Sequence, residues 1–458
     1  MNVDSILAHV DANLDESLER LFALLRIPSI STDPAYTADC RRAADWLVDD
    51  LATLGFAAET RDTEGHPVVL AKADGPAGKP RILLYGHYDV QPVDPLDLWQ
   101  EDPFAPRIVT RPDGGKMIVA RGACDDKGQL MSMVEALRAI KAVEGELPVP
   151  VTVLFEGEEE SGSPSLPAFF AKSSAELRAD AAFVCDTGMW DPTTPAIAMS
   201  LRGLVAHDII VRAANRDLHS GQFGGPARNP NHVLAKILAD LHDEDGSVTI
   251  PGFYEGVTEP SNAQKANWDS LGLTAADFLG PIGLSEPAGE TGRTILEQVW
   301  SRPTCEVNGM SGGYTGAGFK TVIPGEARAK VSFRLVGDQD AMKLRAAFKE
   351  FVEARIPSDC SVEFIDHGAG PAFRVSETWS MLQKGAAALE EEWGKPTAMV
   401  GMGGSIPIVH SFKHELGMDT LMIGFALEDD NVHSPNEKYD LTSFHKGIRS
   451  WVRVFASL

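Results

Sequence analysis

The stretch Val149–Ser163, VPVTVLFEGEEESGS, decides how the rest of the chain is read. Val151, Val153, Leu154 and Phe155 form a short unbroken apolar run, the pattern of a strand buried on both faces. The run passes directly into Glu156, Gly157, Glu158, Glu159 and Glu160, then Ser161-Gly162-Ser163, which has the composition of a loop. Adjacent carboxylates repel, and ionising two of them in a cleft is costly unless a cation or a raised pKa relieves them. A solvated acidic loop would read the same way in isolation. The other apolar runs of the chain decide between the two.

A chain of 458 residues exceeds one ordinary core, so two or three domains are expected. The net charge of −25 argues against nucleic acid, because phosphate binding needs clustered Lys and Arg. No apolar run approaches the length of a membrane span. The acidic, periodic N-terminus MNVDSILAHVDANLDESLERLF is unlike a signal peptide. Five scattered cysteines without a CxxC pair disfavour a disulfide framework and a thiolate zinc site, so a reducing cytoplasmic location is expected.

Ile6, Leu7, Val10, Leu14, Leu18, Leu21 and Leu25 recur at helical spacing and predict one amphipathic helix. A second helix covers Cys40–Leu54, and His66–Ala73 and Arg81–Val90 read as strands. A loop from Gly122 leads into a helix ending near Val143. After the glutamates come a helix near Leu166–Lys172 and the strand Ala181–Cys185. This strand–helix rhythm predicts an α/β domain with a mostly parallel sheet flanked by helices. Past Met189 the pattern changes. Ala196–Ala213 and Ala327–Val336 alternate apolar and polar residues, as half-exposed antiparallel strands do. Helices are expected at Asn231–His242 and Asp338–Arg355, a strand at Cys360–Asp366, and little periodicity in 245–304. The α/β pattern then returns with helices Glu377–Trp393, Ile406–Leu416 and Leu441–Phe455 around the strand Thr420–Phe425. The division is therefore a catalytic domain from 1–194 and 370–458, and an inserted α+β lid and dimerisation domain at 195–369.

The ends of the buried strands share one kind of residue. Ile82–Tyr85 is followed by Gly86-His87-Tyr88-Asp89. Ile118–Arg121 leads to Asp125 and Asp126, Val151–Phe155 to Glu159 and Glu160, and Ala182–Cys185 to Asp186. Leu421–Phe425 is followed by Asp429, Asp430 and His433. In open α/β sheets ligands gather at the carboxyl ends of strands. Two histidines and several carboxylates converging there form the donor set of a dinuclear Zn²⁺ or Mn²⁺ site. Taken singly, each has an ordinary reading: a surface His-x-Asp pair, a helix N-cap at Asp125-Asp126, a loop histidine.

GHYDVQP, ARGACDDKGQ, EGEEESGS, the Asp186 segment, DLHSG, GGSIP and HSPNEK stand in the order of one metallopeptidase family. The chain resembles, over nearly its whole length, the family of cytosolic nonspecific dipeptidase, carnosinase, succinyl-diaminopimelate desuccinylase and the glutamate carboxypeptidases. It is most similar to the dipeptidase branch, through Trp99 with Asp102-Pro103-Phe104, Leu201-Arg202-Gly203 and Lys320-Thr321-Val322-Ile323-Pro324. The resemblance implies that His87 and Asp186 hold one metal, Glu160 and His433 the other, and that Asp125 bridges them. Glu159 would be the general base and Asp89 would orient His87. It also implies a cis peptide bond at Asp125–Asp126, two divalent ions per subunit (Zn²⁺ first, Mn²⁺ second), and a homodimer. In that dimer His219 of one lid domain would stabilise the oxyanion of the other subunit. Arg334 would take the substrate's free carboxylate, while Thr321, Gly404 and Ser405 would hold its backbone. A small peptide is the expected substrate, with no nucleic acid or membrane partner.

The expected reaction is hydrolysis of a dipeptide by a metal-activated water, with Glu159 moving the proton. The alternative enzyme is an N-acyl-amino-acid amidohydrolase with the same metal ligands. An acidic residue for the substrate amine would separate the two, and the sequence singles none out. A metal-binding module without catalysis would not need Glu159. Gly309-Met310-Ser311-Gly312-Gly313 matches GxSxG, but a glycine-rich loop follows where a nucleophile elbow needs a helix. Gly313–Thr321 fails as a phosphate loop, since Phe319 separates Gly318 from Lys320 and no helix follows.

Overall fold

The structure, a computed structural model, describes residues 1–404 and 406–458. Contacts gather the chain into two compact units. The first comprises Met1–Met199, Val375–Val400 and Pro407–Leu458; the second comprises Ser200–Arg374 and Gly401–Ile406.

The first unit is built on a sheet that includes the strands β1 (Ala57–Arg61), β2 (Val68–Ala73), β3 (Ile82–His87), β4 (Val151–Glu156), β5 (Ala181–Val184), β6 (Ala196–Leu201) and β7 (Thr420–Met422). Their order is β1-β2-β4-β3-β5-β7-β6. The four central strands β4, β3, β5 and β7 are parallel, while β1, β2 and β6 run antiparallel to their neighbours. Every residue of β3, β4 and β5 is buried, which is why these strands read as continuous apolar runs. Helices cover the faces. Lys127–Glu144 is buried nearly all round, including Lys127, Gln129 and Ser132, as expected of a helix enclosed between the sheet and other helices. Leu441–Ala456 packs beside it and stacks Trp451 on Phe183 of β5 at 5.9 Å between ring centroids. Burying a side chain such as Phe183 contributes about 1.5–3 kcal/mol.

The predicted N-terminal helix is two helices, Val3–Ala12 and Leu14–Leu25. Asn13 divides them: its side chain donates to the His9 carbonyl at 2.7 Å, an alternative partner that ends the first helix. A small antiparallel sheet of Arg107–Thr110, Lys116–Val119 and Lys438–Asp440 joins two loops of the site, with Lys438 opposite Val119.

The second unit is a four-stranded antiparallel sheet ordered Thr304–Gly312, Glu326–Leu335, Gly203–Arg212, Ser361–Gly370. The predicted continuous strand Ala196–Ala213 is broken at Arg202, so that Ala196–Leu201 and Gly203–Arg212 join different sheets. Burial alternates along Glu326–Leu335, and the inward set (Ala327, Ala329, Val331, Phe333, Leu335) packs with Leu234, Ile237, Phe348 and Val352 of two helices. Gly309–Gly312 of the GxSxG match lie within a strand, with Ser311 opposite Arg328. No helix among the described residues is long and apolar enough to cross a membrane.

Candidate metal centre

β3 ends at His87, β4 runs into the glutamate loop, and β5 gives way to Cys185 and Asp186, so parallel strands deliver polar residues to one edge of the sheet. His87 is fully buried, with Nε2 3.0 Å from Asp125 Oδ1 and Nδ1 3.1 Å from the Asp89 carbonyl oxygen. Its neighbour must be Gly86, because a Cβ there would lie 2.8 Å from Asp126 Oδ2. Asp89 is buried too. Its Oδ1 lies 3.4 Å from His87 Nδ1, and its two oxygens accept from the backbone N–H groups of Glu159 (3.2 Å) and Glu160 (3.1 Å). One carboxylate thus touches the histidine and shapes the glutamate loop.

The three consecutive glutamates take different positions. Glu158 turns inward and accepts from the N–H groups of His66 (3.0 Å) and Ser165 (3.3 Å). Glu159 and Glu160 stay half-buried at the site, in a short 3-10 turn. Gln91 donates to Glu160 Oε2 at 2.6 Å. The peptide bond Asp125–Asp126 is cis. Asp125 Oδ2 lies 2.9 Å from His433 Nε2, which is 3.2 Å from Glu160 Oε2.

Two groups of three donors result: His87, Asp125 and Asp186, and Asp125, Glu160 and His433. Within each group the candidate donor atoms lie within 4.8 Å of one another, and Asp125 belongs to both. Protonation follows the crowding. Burial pushes Asp186 up to about 7, with the Asp125 charge adding to it. Burial pushes the His87 imidazole down, but its bonds to Asp125 and Asp89 outweigh this and hold it well above its ordinary value. Hydrogen bonds to Asp125 and Glu160 raise His433 to about 10. Asp125 is held below the usual carboxylate range against its burial, by His433 and His87. Left to itself, the cluster is satisfied by retaining protons. Divalent cations would relieve the same repulsion and displace those protons, and the mixed N/O donor set fits them.

Two buried acids frame the centre: Asp126, which the sequence places among the strand-end carboxylates, and Glu437, which the sequence reading did not single out. Asp126 stands at the N-cap position of the helix Lys127–Glu144 but makes no capping bond; its Oδ2 accepts instead from the His87 N–H at 3.1 Å. Burial holds it well above the usual carboxylate range. Glu437 accepts from Arg121 and from the backbone of Gly122, Cys124 and Asp125. Both stand inside quoted motifs, but nothing in their spacing marks them as buried.

The predicted substrate-binding residues lie in the second unit. Leu218–His219 pairs with Val322–Ile323, and Ser220 N–H donates to the Thr321 carbonyl at 3.0 Å, which brings His219 and Thr321 together. His219 is exposed, with its Nδ1 accepting from the Gly221 N–H at 3.0 Å. Arg334 is half-buried on the sheet opposite Thr304. Arg202 donates to Thr304 Oγ1 (3.2 Å) and, through its backbone, to the Gly404 carbonyl (3.1 Å). Burial and then the Arg334 charge lower Arg202 to about 10, so the two guanidiniums sense each other. Ser405 lies outside the described residues.

A parallel-stranded α/β unit with histidines and carboxylates sharing one aspartate beyond its strand ends is the scaffold of a metallohydrolase. The chain belongs to peptidase family M20/M25/M40, whose model matches residues 83–457. It is 31% identical over 454 residues to a Cys-Gly metallodipeptidase DUG1 of Candida albicans, covering 94% of this chain and 92% of that one. It is 27% identical over 476 residues to the Beta-Ala-His dipeptidase of Homo sapiens, covering 100% and 92%. Among solved structures, the M20 family metallo-carboxypeptidase Sso-CP2 from Sulfolobus solfataricus matches with a TM-score of 0.78 at 31% identity, covering 97% and 100%. The chain is a metallopeptidase.

Proposed function

We propose that this metallopeptidase is a metal-dependent dipeptidase that recognises the free α-carboxylate of its substrate. The observation that carries the reading is Asp125, shared between two donor groups, with Glu159 on the same loop as the ligand Glu160. In this reading His87 and Asp186 would hold one ion and Glu160 and His433 the other, with Asp125 available to both. Zn²⁺ is the first choice for these donors and Mn²⁺ the second. When bound, the ions would supply Lewis acidity, lowering the pKa of the attacking water and polarising the scissile carbonyl. Glu159 takes the attacking water's proton on its carboxylate and returns it to the leaving amine. In the metal-free centre burial raises its pKa, with the charges of Glu160, Asp89 and Asp125 adding to this against His87, which makes the carboxylate a better acceptor of the water's proton. Asp89 keeps His87 and the glutamate loop in place.

His219 supplies a donor to the developing oxyanion across a homodimer, Arg334 pairs with the α-carboxylate, and Thr321, Gly404 and Ser405 hold the substrate backbone. The dimer is supported by the unusual exposure of Met310 (53%), Tyr314 (48%) and Phe319 (92%) around the Thr321 segment, apolar surface of the kind a partner covers. A cytoplasmic location agrees with five free cysteines.

The test is a panel of dipeptides including Cys-Gly and β-Ala-His, a tripeptide, and matched N-acetyl amino acids. The enzyme is stripped with chelator and reloaded separately with Zn²⁺ and Mn²⁺. Metal-dependent cleavage of dipeptides, with little on the acetyl compounds, is the expected result. A preference for the acetyl compounds would make this an amidohydrolase, and release of C-terminal residues from the tripeptide at equal rate would make it a carboxypeptidase.

A further inference from the structure

The loop that carries His433 is tied both from within and from neighbouring segments. Asn431, His433 and Asn436 all have positive φ (55°, 59° and 61°), the left-handed region that non-glycine residues seldom occupy. Inside the loop, the Ser434 N–H donates to the Asn431 carbonyl at 2.9 Å and Asn431 Nδ2 to the Asn436 carbonyl at 3.4 Å, and ties from outside add to these. At Asn436 the ties are two: its Oδ1 accepts from the Gln100 N–H and its Nδ2 donates to the Leu98 carbonyl, both at 2.9 Å. The stronger tie comes one residue later.

Glu437 is fully buried, and each of its oxygens accepts two hydrogen bonds. Oε2 takes Arg121 Nη1 at 2.8 Å and the Gly122 N–H at 2.9 Å; Oε1 takes the Cys124 N–H at 2.9 Å and the Asp125 N–H at 3.0 Å. Three backbone N–H groups of one short loop converge on a carboxylate, the geometry of an anion-binding nest, with an internal side chain as the anion. The nest depends on Gly122, whose φ of 81° and whose distance of 2.7 Å from a would-be Cβ to Val90 exclude other residues. Arg121 is itself fixed, donating to the Pro92 carbonyl at 2.9 Å and lying over the Trp99 ring at 5.3 Å. Four donors leave no room for a proton on Glu437, and only a carboxylate satisfies them all.

We infer that Glu437 is a positioning residue of the metal centre: its carboxylate clasps the Gly122–Asp125 loop to the His433 loop and so sets the separation of Asp125 from His433. This rests on the proposed ligand set. The ion held by Asp125, Glu160 and His433 depends on the clasp most, because two of its three ligands sit on the two clasped loops. The ion held by His87, Asp125 and Asp186 depends on it less, because His87 and Asp186 follow directly from sheet strands.

The test is metal titration of the chelator-stripped full chain with Zn²⁺ against a competing chromophoric chelator, for wild type, Glu437→Gln and Glu135→Gln. Glutamine keeps the shape of Glu437 but turns an N–H toward two donors. Glu135 is an equally buried glutamate, paired with Arg20 and Arg138, and serves as the control for lost stability alone. Wild type should bind two equivalents. In Glu437→Gln the second equivalent should weaken about tenfold or more with the first nearly unchanged, and turnover should recover as Zn²⁺ is raised. Glu135→Gln should bind both as wild type does. If Glu437→Gln does not fold, Glu437→Asp, which keeps the charge but falls short of the nest, should show the same selective weakening. Unchanged binding of both equivalents, or equal weakening of both, overturns the clasp while leaving the ligand set intact. Fewer than two equivalents in wild type overturns the ligand set, and the clasp with it.

Discussion

Glu158, Glu159 and Glu160 are adjacent in sequence yet do three different things. Glu158 holds two backbone N–H groups inside the fold, Glu160 faces His433, and Glu159 is left with no ligand partner among the two donor groups. Glu159→Gln should therefore lower kcat about 10³-fold, within the range for losing a general base, while keeping its metal. Parallel measurement of turnover and metal content checks this, and loss of an equivalent would make Glu159 a ligand instead. Glu156 behind it gives a pH-dependent prediction. Burial raises its pKa from the ordinary 4.5 to about 8, and Tyr85 donates its hydroxyl to it. The folded-state pKa lies above the unfolded one, so folding takes up a proton between them. The stability from this group is complete below the unfolded value and is lost as pH rises toward about 8. In metal-stripped protein, Glu156→Gln should flatten that decline, read as the difference in urea midpoint from wild type at about pH 5 and about pH 9. An identical pH trend in the two proteins would remove Glu156 as its source.

The helix Lys127–Glu144 begins where the site ends, and its first turn leaves no room for a larger residue. A Cβ on Gly128 would stand 1.9 Å from the Ala123 carbonyl oxygen and 2.8 Å from the Tyr439 ring. Gly128→Ala gains helix propensity but overpacks a contact that cannot yield. It should cost about 2 kcal/mol or more by denaturant unfolding and weaken metal binding by displacing the Asp125 loop. A neutral or stabilising result would mean that the loop relaxes freely. At this scale sequence and structure can be compared directly. β3, β4 and β5 were legible because strands buried on both faces must be apolar throughout, and the polar residues just beyond them stand out against those runs. β1 was not, since Ala57–Arg61 is a half-exposed edge with no clear pattern. The helices Asn262–Ser270 and Ala275–Leu279 were missed because they are short and mostly exposed, and Ile295–Trp300 because it is too short to show a period; capping by Ser261, Thr274 and Thr294 marks all three more than periodicity does. The Glu437 nest was illegible because its partners are backbone groups more than 300 residues away, which no side-chain pattern records.

For the whole molecule, the net charge of −25 means that the fold already carries repulsion, and the metal centre concentrates part of it in the first unit. Cations that bind the folded centre and not the unfolded chain stabilise it by mass action, on the order of 4 kcal/mol at a thousandfold excess over Kd. Chelation should therefore lower the thermal midpoint, and adding back Zn²⁺ or Mn²⁺ should restore it. The loss should also be local. The loops carrying Asp125, Glu159, Glu160 and His433 are fixed by a few hydrogen bonds to Asp89, Gln91 and Glu437, whereas the second unit's sheet has its own core of Val205, Ile209, Phe333 and Phe348. Hydrogen exchange after chelation should thus accelerate in the segments 122–126, 158–161 and 431–437, with the strands Gly203–Arg212 and Glu326–Leu335 unchanged. Loss of protection spreading evenly through both units would instead make the metal a support of the whole fold. No change in either unit would remove metal from the account of its stability.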